Sequence, residues 1–110
     1  MVKSMKDIIG AKILSLDEIY DYWQIVTDKG TINIYNPSKY FISKENYLGI
    51  NEVDDIVNAI VKNILYESMN YFKIELNNGR IFETSLLKGD YTGPEAISIH
   101  YKTGEIIVFE

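Results

Sequence analysis

Three stretches of the chain alternate apolar and polar residues on both sides of a glycine: YWQIVTDKGTINI, YFKIELNNGRIF and EAISIHYKTGEIIVF. Aligned on Gly30, Gly79 and Gly104, they place Ile25, Ile74 and Ile99 five residues ahead of the glycine and Ile32, Ile81 and Ile106 two residues after it. Period-two alternation around a short glycine-containing turn predicts a β-hairpin, because successive side chains of a strand point to opposite faces and glycine supplies the positive φ that tight turns favour. The chain therefore carries three hairpins.

The first two extend upstream as a repeat. Gly30 and Gly79 are 49 residues apart, and the same offset places Leu16 on Leu65, Glu18 on Glu67 and Tyr22 on Tyr71. This predicts an opening strand before each hairpin. Asn51 is placed to cap a short helix near 52–60, with Val53, Ile56, Val57 and Ile60 at helical spacing and Glu52, Asp54 and Asp55 in its first turn. Ser4 and Asp7 form a weaker cap over the apolar turn Met5, Ile8, Ile9. Asn36-Pro37, Gly89-Asp90 and Gly93-Pro94 mark turns. The expected fold is mainly β, on the border of all-β and α+β, with about eight antiparallel strands. One domain over 1–110 comprises unit one at about 4–36, unit two at about 53–86 and a closing hairpin at about 95–109. A β-unit leaves its apolar face bare when alone, so duplication builds the core.

At 110 residues the chain is long enough for one core and too short for two. It has no cysteine, which excludes disulfides and thiolate metal sites. The N-terminus lacks the apolar run of a signal peptide or spanning helix, so a cytoplasmic location is expected. Ile, Asn, Lys and Tyr are favoured by AT-rich codons and point to a low-GC bacterium. Net charge is −5, and the excess acid lies in the second half: six acids match six bases up to Gly49, whereas ten face five from Ile50 onward. An acidic domain repels phosphate backbones, which argues against nucleic acid as a partner.

The motif set Gly10 to Ile13, Asp28 to Gly30, Asn77 to Gly79 and Pro94 to Phe109 resembles small bacterial proteins of unknown function built from tandem strand-hairpin units. There a G-x-x-I opening, a [DN]-x-G turn and a terminal PE-A-[IL]-x-I…G-E-I-I-V-[FW] strand pair recur. Some proteins of this look resemble immunity proteins of bacterial toxin systems. That resemblance implies binding of a partner rather than chemistry, and it carries no catalytic residues over. Unit two has Ala59 where unit one has Gly10, a departure from the opening motif.

Candidate chemistry is sparse. His100 is the only histidine and shares a strand face with Ser98, a pairing that also arises on any exposed strand. Glu18 and Glu67 are repeat partners and would be the two carboxylates of a hydrolase, or two surface acids. Glu52, Asp54 and Asp55 lack the ligand order of a calcium loop. No phosphate-binding fingerprint is present. No catalytic, cofactor or metal site is assigned.

The segment IYNPSKYFISKENYLGIN joins the units and carries Tyr40, Phe41 and Tyr47 beside the acids Glu52, Asp54 and Asp55. These six residues are the candidate partner-binding surface, since aromatics give large contact area at low entropic cost; alternatively the aromatics lie over a sheet end and complete the core. The expected function is a non-enzymatic interaction protein, immunity-like, acting on a basic partner such as a toxin. A small-ligand-binding β-domain and a small enzyme using carboxylates are the alternatives. Homodimerisation through an uncovered edge strand stays open.

Overall fold

The structure, a computed structural model, describes residues 4–110. The fold is mainly β, and its strands alternate meanders with hairpins. β1 (Ile13–Ile19), β2 (Tyr22–Thr27) and β3 (Gly30–Ile34) form a meander, followed by the hairpin β4 (Ser38–Phe41) and β5 (Tyr47–Gly49). The pattern then recurs: β6 (Val61–Glu67), β7 (Tyr71–Leu76) and β8 (Ile81–Ser85), then β9 (Ile97–Tyr101) and β10 (Ile106–Phe109). Each meander receives the hairpin of the other unit. The two antiparallel sheets run β1-β2-β3-β9-β10 and β5-β4-β8-β7-β6. Their inner faces share one core, in which the Phe109 ring of one sheet lies 5.2 Å from Tyr66 and 4.9 Å from Phe72 of the other.

Ten strands replace the expected eight. The two that were not foreseen, β4 and β5, come from the aromatic connection and span only four and three residues, too few for alternation to register. Their position also corrects the reading of the C-terminal hairpin. It is the counterpart of β4–β5, not a third copy of β2–β3.

The expected helix near 52–60 does not form. A single 3-10 turn spans Ile50–Glu52, and Gly49, not Asn51, is its N-cap, with the Glu52 carboxylate accepting from the Gly49 N–H at 3.2 Å. Beyond it, β-branched and Asp residues of low helix propensity occupy a stretch too short to nucleate alone. Asn58 then turns left-handed at φ 74°, and Ile60 pairs with Lys12 instead of continuing a helix. At the N-terminus the expected cap is present: Ser4 Oγ accepts from the Lys6 N–H, and Asp7 accepts from the Ser4 N–H.

The Lys12–Ile60 bridge is the centre of the repeat. Around it the Gly10 N–H donates to the Val61 carbonyl and the Asn58 N–H to the Ile13 carbonyl, while Val61 N–H reaches Ala11 and Ile13 N–H reaches Ala59. These bonds exchange under an offset of 48, which matches Gly10 with Asn58, both at positive φ, and buried Ala11 with buried Ala59. The apparent mismatch of Gly10 with Ala59 thus disappears. One residue enters at the first turn, where Tyr20-Asp21 joins β1 to β2 but Ser68-Met69-Asn70 joins β6 to β7, and restores the offset of 49. Each opening strand also carries a register shift near its start, at Ile13/Ser15 and Val61/Asn63.

The same symmetry governs two polar clamps. Asp28 Oδ1 accepts from the Lys12 N–H at 2.9 Å and Asn77 Oδ1 from the Ile60 N–H at 3.0 Å; in return the Asp28 and Asn77 N–H groups donate to the carbonyls of Lys12 and Ile60. Both clamps satisfy backbone donors beside the bulged starts of β1 and β6. Asp28→Ala and Asn77→Ala are each expected to lower stability by about 1 kcal/mol. Urea denaturation checks this, and a neutral result at either position contradicts the equivalence.

The three glycine turns differ in mechanism. Gly79 (φ 85°) and Gly104 (φ 103°) close three-residue loops in the left-handed region, as expected. Gly30 does not have positive φ. It lies against β9, where a Cβ would come within 2.5 Å of the His100 carbonyl oxygen and 2.9 Å of Tyr101 Cα. The buried Thr27 hydroxyl closes this tighter turn, accepting from the Lys29 and Gly30 N–H groups and donating to the Gly30 carbonyl.

Candidate functional site

The six residues singled out in the sequence separate in the fold. Tyr40 is buried, with its ring 6.4 Å from Phe82, and so leaves the candidate surface for the core. Its inward position follows from the parity of β4, which pairs Tyr40 with the core residue Phe82. The hydroxyl meets no partner at hydrogen-bond distance and angle; burial first, and then the nearby Asp55 carboxylate, push it up to about 12. Phe41 and Tyr47 stack on the outer face at 5.5 Å, and Lys39 lies 4.6 Å over the Tyr47 ring. Asp55 pairs with Arg80 at 3.5 Å, and Arg80 also donates to the Ile42 carbonyl, so this acid ties its loop to the β4–β5 hairpin. Glu52 is engaged at Gly49, and Asp54 stands exposed. Much of this cluster holds loops together.

The candidate catalytic residues do not converge. Glu18 shares a face of β1 with Leu16, which packs on the core, while His100 faces outward from β9 and Glu67 belongs to the other sheet. Ser98 and His100 do meet, with His100 Nε2 3.2 Å from Ser98 Oγ. The same hydroxyl accepts from Asn33 Nδ2 at 3.2 Å and lies 3.3 Å from the Tyr35 hydroxyl, and Gln24 donates to Asn33. A serine hydroxyl has one proton and two lone pairs, so three neighbours fill its capacity. Ser98 is only 1% exposed. The arrangement is a polar ribbon across β2, β3 and β9 that fixes their outer face, and it lacks the open hydroxyl that a nucleophile requires. Among the described residues no three His, Asp or Glu side chains gather where a metal ion could sit.

The surface that composition did not reveal lies at one end of the molecule. Strand pairing brings together the β1–β2 turn, the β6–β7 turn, the Asn36-Pro37 corner, the 86–96 connection and the end of β10. Glu18, Asp21, Glu67, Asp90, Glu95 and Glu110 belong to this end against one base, Lys88. It therefore carries a formal charge of −5, as much as the whole chain. Both units contribute, so the division of charge between the sequence halves becomes a division between the two ends of the fold.

The same end presents large apolar side chains. Tyr20 and Met69 stand at the tips of the two equivalent turns, 97% and 79% exposed, and both adopt left-handed backbone, at φ 55° and 65°. Non-glycine residues without a short polar side chain seldom occupy that region, because Cβ crowds the following carbonyl. Between the tips, Gly93-Pro94 divides two open clefts. One, of about 360 Å³, is bordered by Asp21, Tyr22, Tyr35 and Glu95; the other, of about 460 Å³, by Met69, Leu86, Tyr91 and Glu110. Tyr22 and Tyr35 stack at 5.2 Å along the first. The signal for this site was present in Tyr20 and Met69, which occupy turn positions where Gly or Asn is usual.

No helix among the described residues is long and apolar enough to cross a membrane. Comparison with protein-family models, with curated proteins and with solved structures gave no match to this chain.

Proposed function

We propose that the protein is a non-enzymatic binding module, of an immunity-like kind, that engages a basic protein through the acidic end bearing Tyr20 and Met69. The observation that carries this reading is the coincidence of a −5 charge with two exposed apolar tips at repeat-equivalent positions. Complementary charge accelerates encounter, while apolar and aromatic anchors supply contact energy once the partner is seated. The shallow clefts beside Pro94 would receive side chains of the partner. Such an inhibitor would act in the cytoplasm, on a toxin that reaches or is made there.

The test is affinity capture from a lysate of the source organism, with identification by mass spectrometry, using two charge-reversal variants as further baits. A basic protein held by wild type should be lost by Asp21→Lys/Glu95→Lys/Glu110→Lys, and its association rate should fall about tenfold or more. Glu52→Lys/Asp54→Lys/Asp55→Lys, on the connection that Asp55 ties to Arg80 of the β7–β8 turn, should retain it. Equal capture by the first variant removes the acidic end as the binding surface.

A further inference from the structure

Strand β10 is the outer strand of its sheet, and its edge is of an unusual kind. The Phe109 carbonyl accepts from the Ala96 N–H and the Glu105 carbonyl from the Tyr101 N–H, so odd-numbered residues turn their backbone groups toward β9. Antiparallel alternation then directs the N–H and C=O of Ile106 and Val108 outward. Their side chains, 57% and 39% exposed, cover the outer face with apolar surface. Natural edges are blocked by lysine, proline, bulges or brevity. β10 has none of the first three and is longer than the three-residue edge strand β5.

We propose that the protein pairs with a second copy of itself through β10, joining two five-stranded sheets into one of ten strands. Two features select a second copy. The first is register: centring an antiparallel pair on Ile107 sets Ile106 opposite Val108 of the other copy, twice, with four backbone hydrogen bonds and apolar neighbours. Glu105 then faces Phe109 of the other copy, whereas a slip by one residue would oppose Glu105 and Glu110 as like charges. The second is the acidic end. An antiparallel twofold directs the two acidic ends away from each other, so the pairing avoids their repulsion and leaves both open.

Sedimentation equilibrium on the full chain should give twice the 12.7 kDa monomer mass. Ile106→Lys/Val108→Lys should raise the dimer dissociation constant at least tenfold. Val108→Pro is the second variant: its lost N–H points away from β9, so the internal ladder survives while the dimer weakens. The chain has no cysteine, so Ile107→Cys can form only an intermolecular disulfide. At a non-hydrogen-bonded pair Cα atoms approach to about 4.5 Å, within disulfide reach, so mild oxidation should link Ile107→Cys readily and Glu105→Cys poorly. A monomeric wild type at roughly millimolar concentration, a dimer indifferent to the edge variants, or efficient linkage of Glu105→Cys alone would overturn the proposal.

Discussion

Gly30→Ala is expected to cost about 3 kcal/mol of folding stability, the magnitude of a severe overpacking substitution. The added Cβ meets two backbone atoms of β9, the His100 carbonyl oxygen and Tyr101 Cα, at 2.5 and 2.9 Å. Neither can swing aside as a side-chain terminus would. The strand itself must retreat, and with it the ladder that pairs Gly30 with Tyr101 and Ile32 with Ile99. Among the described residues that ladder is the only strand pairing that attaches the C-terminal hairpin to the first meander, so the damage spreads beyond the turn. Gly79→Ala is the comparison. There nothing lies within 4 Å of the new Cβ, and the cost is that of left-handed backbone, about 1 kcal/mol. Urea denaturation of the two variants should show Gly30→Ala clearly the weaker, and equal losses would contradict the close approach of β3 and β9.

Alkaline solution is the second large lever. Tyr40 and Tyr101 are both buried, and both hydroxyls are pushed up to about 12: burial dominates in each, followed by Asp55 for Tyr40 and Asp7 for Tyr101. The Tyr101 hydroxyl also donates to the Ser4 carbonyl, a bond that a phenolate could not make. The folded chain therefore keeps two protons that the unfolded chain releases near its ordinary tyrosine value of about 10. Their contribution is fully present below about pH 10 and is lost as pH rises toward 12, by roughly 2 to 3 kcal/mol for each tyrosine. Urea midpoints should hold steady from neutral pH to about 10 and then fall steeply. Tyr101→Phe should flatten that fall. Tyr40→Phe should do so too. A midpoint unchanged between about pH 8 and 11.5 would contradict both assignments.

The strands with strong alternation were legible in the sequence. In β2, β3, β7, β8 and β9 every second residue is buried or half-buried, such as Phe72, Ile74 and Leu76, whereas β1 and β6 were legible through the repeat. β4 and β5 were not legible, because their hairpin is cut short by the polar turn 42–46 and reads as an aromatic loop. The helix expected from Val53, Ile56, Val57 and Ile60 illustrates the opposite error. Apolar spacing over eight residues fits a helix, but Ile56 alone is buried there, and Ile60 has a strand partner. In the candidate surface one residue of the six, Tyr40, was misplaced for a different reason. Tyr40 and Tyr47 look alike on a connection of unknown shape, and only strand parity sends one inward and the other out. The acidic end draws Glu18, Glu67, Glu95 and Glu110 from distant parts of the chain, so only topology could assemble it.

The exchange of hairpins between the two meanders bears on how the chain is made. As residues leave the ribosome, β3 emerges with one long edge bare, and its partner strand begins only at Ile97. The complementary exchange is quicker, since β4 waits only for β8 at Ile81–Ser85. The second sheet can thus close on the nascent chain while the first still lacks two strands. Its isoleucine-rich edge then remains open to other nascent chains for the whole interval in which unit two is synthesised. Slow codons placed after unit one would lengthen that interval, and a chaperone that shields extended apolar segments would find its substrate there.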